Sequence, residues 1–131
     1  MSRRLGDGYE QLVCEQLNEL GLVLLAKNVY VEGGEIDLLM QASSEITPHV
    51  EVGEICIVEV KGRQSISDWN QNVVSITKKR RWQSSAIQVI WMIEDREIVA
   101  KQPITGYQMV LVRVEGSAVD IQWNVCDVEM F

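Results

Sequence analysis

The chain has 131 residues, 47% of them hydrophobic and 24% charged, which fits a single globular domain spanning residues 1–131 and excludes disordered, collagen-like and coiled-coil classes. No apolar run exceeds five residues, Leu22–Ala26 being one, so no membrane-spanning helix is expected. A net charge of −7 argues against a protein that coats nucleic acid by bulk charge.

Arg3 and Arg4 are not followed by an apolar stretch, so no secretory signal is expected and the expected compartment is the cytoplasm. The spacing of Leu12, Val13, Leu17 and Leu20 predicts an amphipathic helix from about Gly8 to Leu20, ended by Gly21. Apolar and β-branched residues over Leu22–Val31 predict a strand, and Gly33-Gly34 a tight reversal into a second strand, Glu35–Gln41. Ser43, Ser44, Pro48 and Gly53 mark residues 42–53 as a long acidic loop, in which His49 reads as a solvated bystander.

A third strand is expected at Glu54–Gly62 and a long helix at Val73–Glu94, with Trp82 in the core. Two closing strands follow, Tyr107–Val114 and Ala118–Val125, turning at Glu115-Gly116-Ser117. The order is αβββαββ. Cys14, Cys56 and Cys126 are widely spaced and lie in apolar stretches, so they read as buried thiols and not as metal ligands.

Charge is segregated along the chain. Between Lys27 and Lys61 there is no Lys or Arg, yet seven acids fall there: Glu32, Glu35, Asp37, Glu45, Glu51, Glu54 and Glu59. Lys78, Lys79, Arg80 and Arg81 form a basic block, and Lys61 with Arg63 a smaller one.

In the third strand Ile55, Ile57, Glu59 and Lys61 share one face and Cys56, Val58 and Val60 the other. Both faces are apolar, so the strand is central, and Glu59 and Lys61 sit at the end of a buried strand where unpaired charges are costly. In the second strand Glu35, Asp37 and Leu39 are expected on one face, with Ile36, Leu38 and Met40 on the other. If the two strands are neighbours, Asp37 and Glu59 lie side by side and repel unless a cation sits between them. From periodicity alone two readings stay open: a divalent metal site, or an ion pair at a strand end beside a solvated acid.

Gly34-Glu35-Ile36-Asp37-Leu38-Leu39 followed by Val58-Glu59-Val60-Lys61-Gly62-Arg63 resembles the YraN-type family. Gly8-Tyr9-Glu10, Asn28 and Lys79 extend the match to roughly residues 6–112. That family is similar in fold to the PD-(D/E)-x-K nucleases. The resemblance implies an α/β restriction-endonuclease-like core, a mixed central sheet flanked by helices, and metal-dependent hydrolysis of phosphodiester bonds in DNA.

It also implies a catalytic set of Asp37, Glu59 and Lys61. The implied Mg²⁺ or Mn²⁺ ligands are Asp37, Glu59, the Val60 carbonyl and Glu10, with Glu35, Arg63 and Lys79 supporting the site or the substrate. For Glu10, close to a helix start, a favourable helix-dipole interaction is the other reading. Where members show Asn-x-Arg this chain has Asn28-Val29-Tyr30, and where they show Arg-Phe-Asp-Val-Val it has Tyr107-Gln108-Met109-Val110-Leu111. Two alternatives remain beside the nuclease: an inactive nucleic-acid-binding or protein-interaction module of the same fold, and a homodimer similar to Holliday-junction resolvases. No membrane partner is expected.

Overall fold

The computed structural model of the protein describes residues 2–62 and 76–125. In chain order they form α1 (Ser2–Leu20), β1 (Leu22–Val31), β2 (Gly34–Ala42), β3 (Ile55–Lys61), α2 (Ile76–Glu94), β4 (Tyr107–Glu115) and β5 (Ala118–Gln122). The strands make one sheet in the order β1-β2-β3-β4-β5, antiparallel everywhere except between β3 and β4, which run parallel. This mixed sheet with helices against it is the expected restriction-endonuclease-like α/β architecture, in the expected αβββαββ order among the described residues.

Two apolar layers sandwich the sheet. Val13 and Leu17 of α1 pack with Leu38, Met40, Cys56, Val58, Val110 and Val112. On the opposite face Trp82, Ala86, Val89, Ile90 and Ile93 of α2 pack with Leu39, Ile55, Ile57, Met109 and Leu111. Because β3 is covered on both sides, Ile55 through Val58 are fully buried, as a continuous apolar run in a central strand requires. Trp82 is in the core as expected. Among the described residues no helix is long and apolar enough to cross a membrane.

Several expectations are corrected in detail. α1 begins at Ser2, well before Gly8. The first hairpin turns on Glu32-Gly33, with Gly33 at φ 82, and Gly34 is already paired to Val31. Gly34 has no side chain because one would collide with Ser85 of α2. The Gln88 amide fixes the same turn, donating to the Glu32 carbonyl at 3.0 Å and accepting the Glu32 N–H at 3.1 Å. β5 ends at Gln122, although Val125 N–H still donates to the Met109 carbonyl at 2.9 Å.

The loop after β2 is more ordered than its composition suggests. Ile46 bridges Val50, which is buried, and the Gln41 side chain fastens the loop from below. The Gln41 amide nitrogen donates to Gly53 O at 3.0 Å and Gln102 O at 2.8 Å, while its oxygen accepts from Lys101 N at 2.8 Å and Gln102 N at 3.2 Å. His49 is no bystander: its ring stacks on Trp123 with centroids 5.5 Å apart and planes 12° apart. Its carbonyl accepts the Gln108 amide at 2.9 Å. Cys56 is buried, Cys14 only half-buried, and Cys126 lies outside the described residues.

Candidate functional site

The β2–β3 ladder runs from Gln41↔Ile55 to Leu38↔Val58. Past that point the strands leave their regular pairing, and Asp37 Oδ2 accepts the Val60 backbone N–H at 2.8 Å, where a neighbouring strand's carbonyl would otherwise sit. The side chain of Asp37 thus does the work of the backbone at the place where the sheet opens.

The alternation of β2 reverses at this residue. Leu38 and Met40 face α1 and Leu39 faces α2, so strict alternation would send Ile36 toward α1; instead Ile36 packs with the α2 cluster. The same reversal occurs in β1, where Lys27 pairs with Leu38 and Val29 with Ile36, and Val29 also joins the α2 cluster. Between them Asn28, opposite Asp37 by this register, has φ 51. A left-handed residue in the middle of a strand turns the chain over, and Asn is among the few non-glycine residues that take this conformation readily. The expected placement of Glu35 on the face of Leu39 is corrected accordingly.

The carboxyls of Asp37 and Glu59 lie side by side, within hydrogen-bonding reach of one another, which is the adjacency expected of neighbouring β2 and β3. Burial, and then the Asp37 charge, push the Glu59 carboxyl up to about 8, with Lys61 opposing. Asp37 is also raised, by burial, against the lowering influence of the Val60 N–H, Glu59, Lys61 and Glu10. Burial and the closeness of the two carboxyls both disfavour the state in which each carries a full negative charge. Lys61 Nζ lies 3.3 Å from Glu59 Oε2, both side chains being about a third exposed or less.

Glu10 reaches the group from α1, where it hydrogen-bonds Asp37. The Asn28 amide, its nitrogen turned to the carboxylates, donates to Glu10 Oε1 at 2.9 Å and Glu35 Oε2 at 3.2 Å. Gly62 follows Lys61 directly, and a Cβ there would run into the ring of Tyr9, one residue before Glu10. α1 and the end of β3 are therefore in backbone-to-ring contact beside the acids.

Of the residues singled out from sequence, the structure brings together Asp37, Glu59, Lys61, Val60, Glu10 and Glu35. Lys79 is half-buried on α2 and shows no contact with this group among the described residues, and Arg63 lies outside them. Sequence reasoning did not give Asn28 or Tyr9 a role. For Asn28 a signal existed, since Asn in the interior of an apolar strand is disfavoured by strand geometry and favoured by left-handed backbone.

Among the described residues no three His, Cys, Asp or Glu side chains form a ready-made metal cage. The donor set nevertheless fits a magnesium-like ion, which is held by one or two carboxylates and completes its shell with water and phosphate oxygens. Two buried carboxyls set side by side are the observation behind this fit, because a cation between them would offset the repulsion of their charges.

Comparison with known proteins adds a family to this geometry. The sequence model of "Uncharacterised protein family UPF0102" matches residues 9–117. A UPF0102 protein of Burkholderia vietnamiensis is 33% identical over 90 residues, covering 69% of this chain and 58% of its own length. A UPF0102 protein of Legionella pneumophila is 28% identical over 123 residues, covering 94% of this chain and 92% of its own. One from Symbiobacterium thermophilum is 39% identical over 64 residues, 49% of this chain and 47% of its own. The match to the Burkholderia relative thus spans little more than half of that protein's length.

Proposed function

From the premise that the chain belongs to the UPF0102, YraN-type family, with its restriction-endonuclease-like fold, we propose that it is a metal-dependent nuclease hydrolysing phosphodiester bonds in DNA. The observation that carries this reading is the hydrogen-bonded Asp37–Glu59 pair with Lys61 3.3 Å from Glu59, at the point where a buried sheet opens.

Asp37 and Glu59 would hold Mg²⁺ or Mn²⁺, with the Val60 carbonyl and Glu10 as further donors. The ion, when bound, supplies an acidified water and a countercharge for the scissile phosphate. Val60 N–H fixes one Asp37 oxygen and leaves the other for the ion. Lys61, oriented by Glu59, places a positive charge where the phosphate accumulates negative charge during attack by water. The half-buried setting strengthens both effects by limiting competition from solvent.

The test is Mg²⁺-dependent cleavage of branched, single-stranded and duplex DNA by the wild type beside Asp37→Ala and Lys61→Ala. Cleavage by the wild type and none by either variant is expected; equal cleavage by all three removes the proposal. The run of seven acids without a Lys or Arg between Lys27 and Lys61 favours a second reading, an interaction module of the same fold without turnover. Binding of DNA or of a protein partner by a chain that takes up no Mg²⁺ in calorimetry would support it.

A further inference from the structure

We propose that Asn28 is a positioning residue: its side-chain amide, donated to Glu10 and Glu35 at once, holds Glu10 against Asp37 and so sets the affinity of the acidic group for a divalent cation. This rests on the reading of that group as a cation site.

The geometry favours this role on three counts. First, Asn28 stands opposite Asp37 in the β1–β2 register, so its side chain starts from the strand position next to the acid pair. Second, both of its contacts are carboxylates, at 2.9 and 3.2 Å, and carboxylates only accept; the amide nitrogen satisfies both without adding charge. Third, Glu10 and Asn28 both line a cavity of about 60 Å³ between α1 and β1, so packing alone does not immobilise the Glu10 side chain.

The φ of 51 belongs to the same device. It accompanies the reversal of β1, and the amide of Asn28 reaches both Glu35 of β2 and Glu10 of α1. Asn28 therefore joins a helix-borne acid to a strand-borne one through a neutral donor. Such outer partners of metal ligands orient the ligand before the ion arrives.

The experiment is calorimetric titration of the whole chain with MnCl₂, for the wild type, Asn28→Gly, Glu10→Gln and the double variant. Glycine keeps the left-handed backbone and removes only the amide. Asn28→Gly is expected to bind Mn²⁺ about tenfold more weakly, the low end of the range for such outer partners, and Glu10→Gln, which alters a donor itself, at least as weakly. The double variant is expected to be no weaker than Glu10→Gln alone, since Asn28 acts through Glu10. Melting in EDTA and circular dichroism should match the wild type for Asn28→Gly.

Wild-type affinity in Asn28→Gly, or losses that multiply in the double variant, overturns the proposal. Mn²⁺ uptake without DNA cleavage removes the nuclease reading and leaves this inference standing, whereas no uptake by the wild type overturns both. Should Asn28→Gly not fold, the Asn28 side-chain NH₂ resonance carries the test: it is expected to shift in Glu10→Gln, and an unmoved resonance overturns the role.

Discussion

Asp37 Oδ2 and the Val60 N–H meet at 2.8 Å just beyond the last regular pair of the β2–β3 ladder. One carboxylate oxygen thereby closes the sheet, while the carboxyl remains hydrogen-bonded to Glu59 and Glu10. Structural and chemical roles are combined in a single side chain, and substitutions can separate them.

Asp37→Asn keeps an oxygen for the Val60 N–H but loses the charge. We expect it to fold with a melting temperature in EDTA at or above that of the wild type, because burying a neutral amide costs less than burying a carboxylate, and to lose both Mn²⁺ binding and cleavage. Lys61→Met should retain Mn²⁺ binding and lose cleavage by about 10²–10³-fold, the usual effect of removing one group that stabilises developing charge. Calorimetry beside a cleavage assay separates the two.

The pH dependence of stability follows from Glu59. Its carboxyl is raised from 4.5 to about 8 in the folded chain, so between those values the unfolded chain releases a proton that the folded one keeps. Without metal, its contribution to stability is full below pH 4.5 and is lost as pH rises to about 8. Urea unfolding in EDTA of wild type and Glu59→Gln should diverge across this window by more than about 1.4 kcal/mol, the free energy of one pKa unit. Millimolar Mn²⁺ should reduce the wild-type slope, and parallel curves in EDTA would contradict the shift.

Gly62→Ala forces a methyl group into the Tyr9 ring. Overpacking of this kind costs about 1–3 kcal/mol, to be read from chemical denaturation. Tyr9→Leu, which removes the ring edge, should restore part of the loss in the double variant, and strict additivity would show that the two residues do not press on each other.

Gln41→Leu leaves two carbonyls and two N–H groups without their partner, at Gly53, Lys101 and Gln102. A loss of about 2–4 kcal/mol is expected, given the penalty for buried polar groups left unpaired. Amide exchange at Lys101 and Gln102 should accelerate first, because those N–H groups donate to the Gln41 oxygen.

Much of the fold is legible in the residues themselves. β1 and the first hairpin follow from β-branched residues and Gly33, and the central position of β3 follows from its two apolar faces. The meeting of Asp37 with Glu59 is legible for the same reason: charges in an otherwise apolar strand must have a partner.

What escapes is set by single backbone angles and by distant partners. Nothing in the alternation of β2 announces that it reverses, and the left-handed φ of Asn28 opposite it on β1 is not legible from the pattern of β2. The stacking of His49 on Trp123 joins segments far apart in the chain, and no local pattern encodes it. The early start of α1 runs through Gly6 and Gly8, whose low helix propensity points to a later start.

The single parallel seam of the sheet governs how the acidic site can come into being. Its two strands, β3 and β4, lie on either side of α2 in the chain, so joining them means closing a long loop before any contact rewards it. The Asp37 strand pairs with β1 through a two-residue turn and with β3 through the loop over residues 43–54, whereas the Glu59–Lys61 strand is secured on its other edge only when the longer crossover closes. Assembly of the acid pair is thereby coupled to completion of the sheet, and a nascent chain still lacking β4 carries the residues without the burial that shifts their carboxyls.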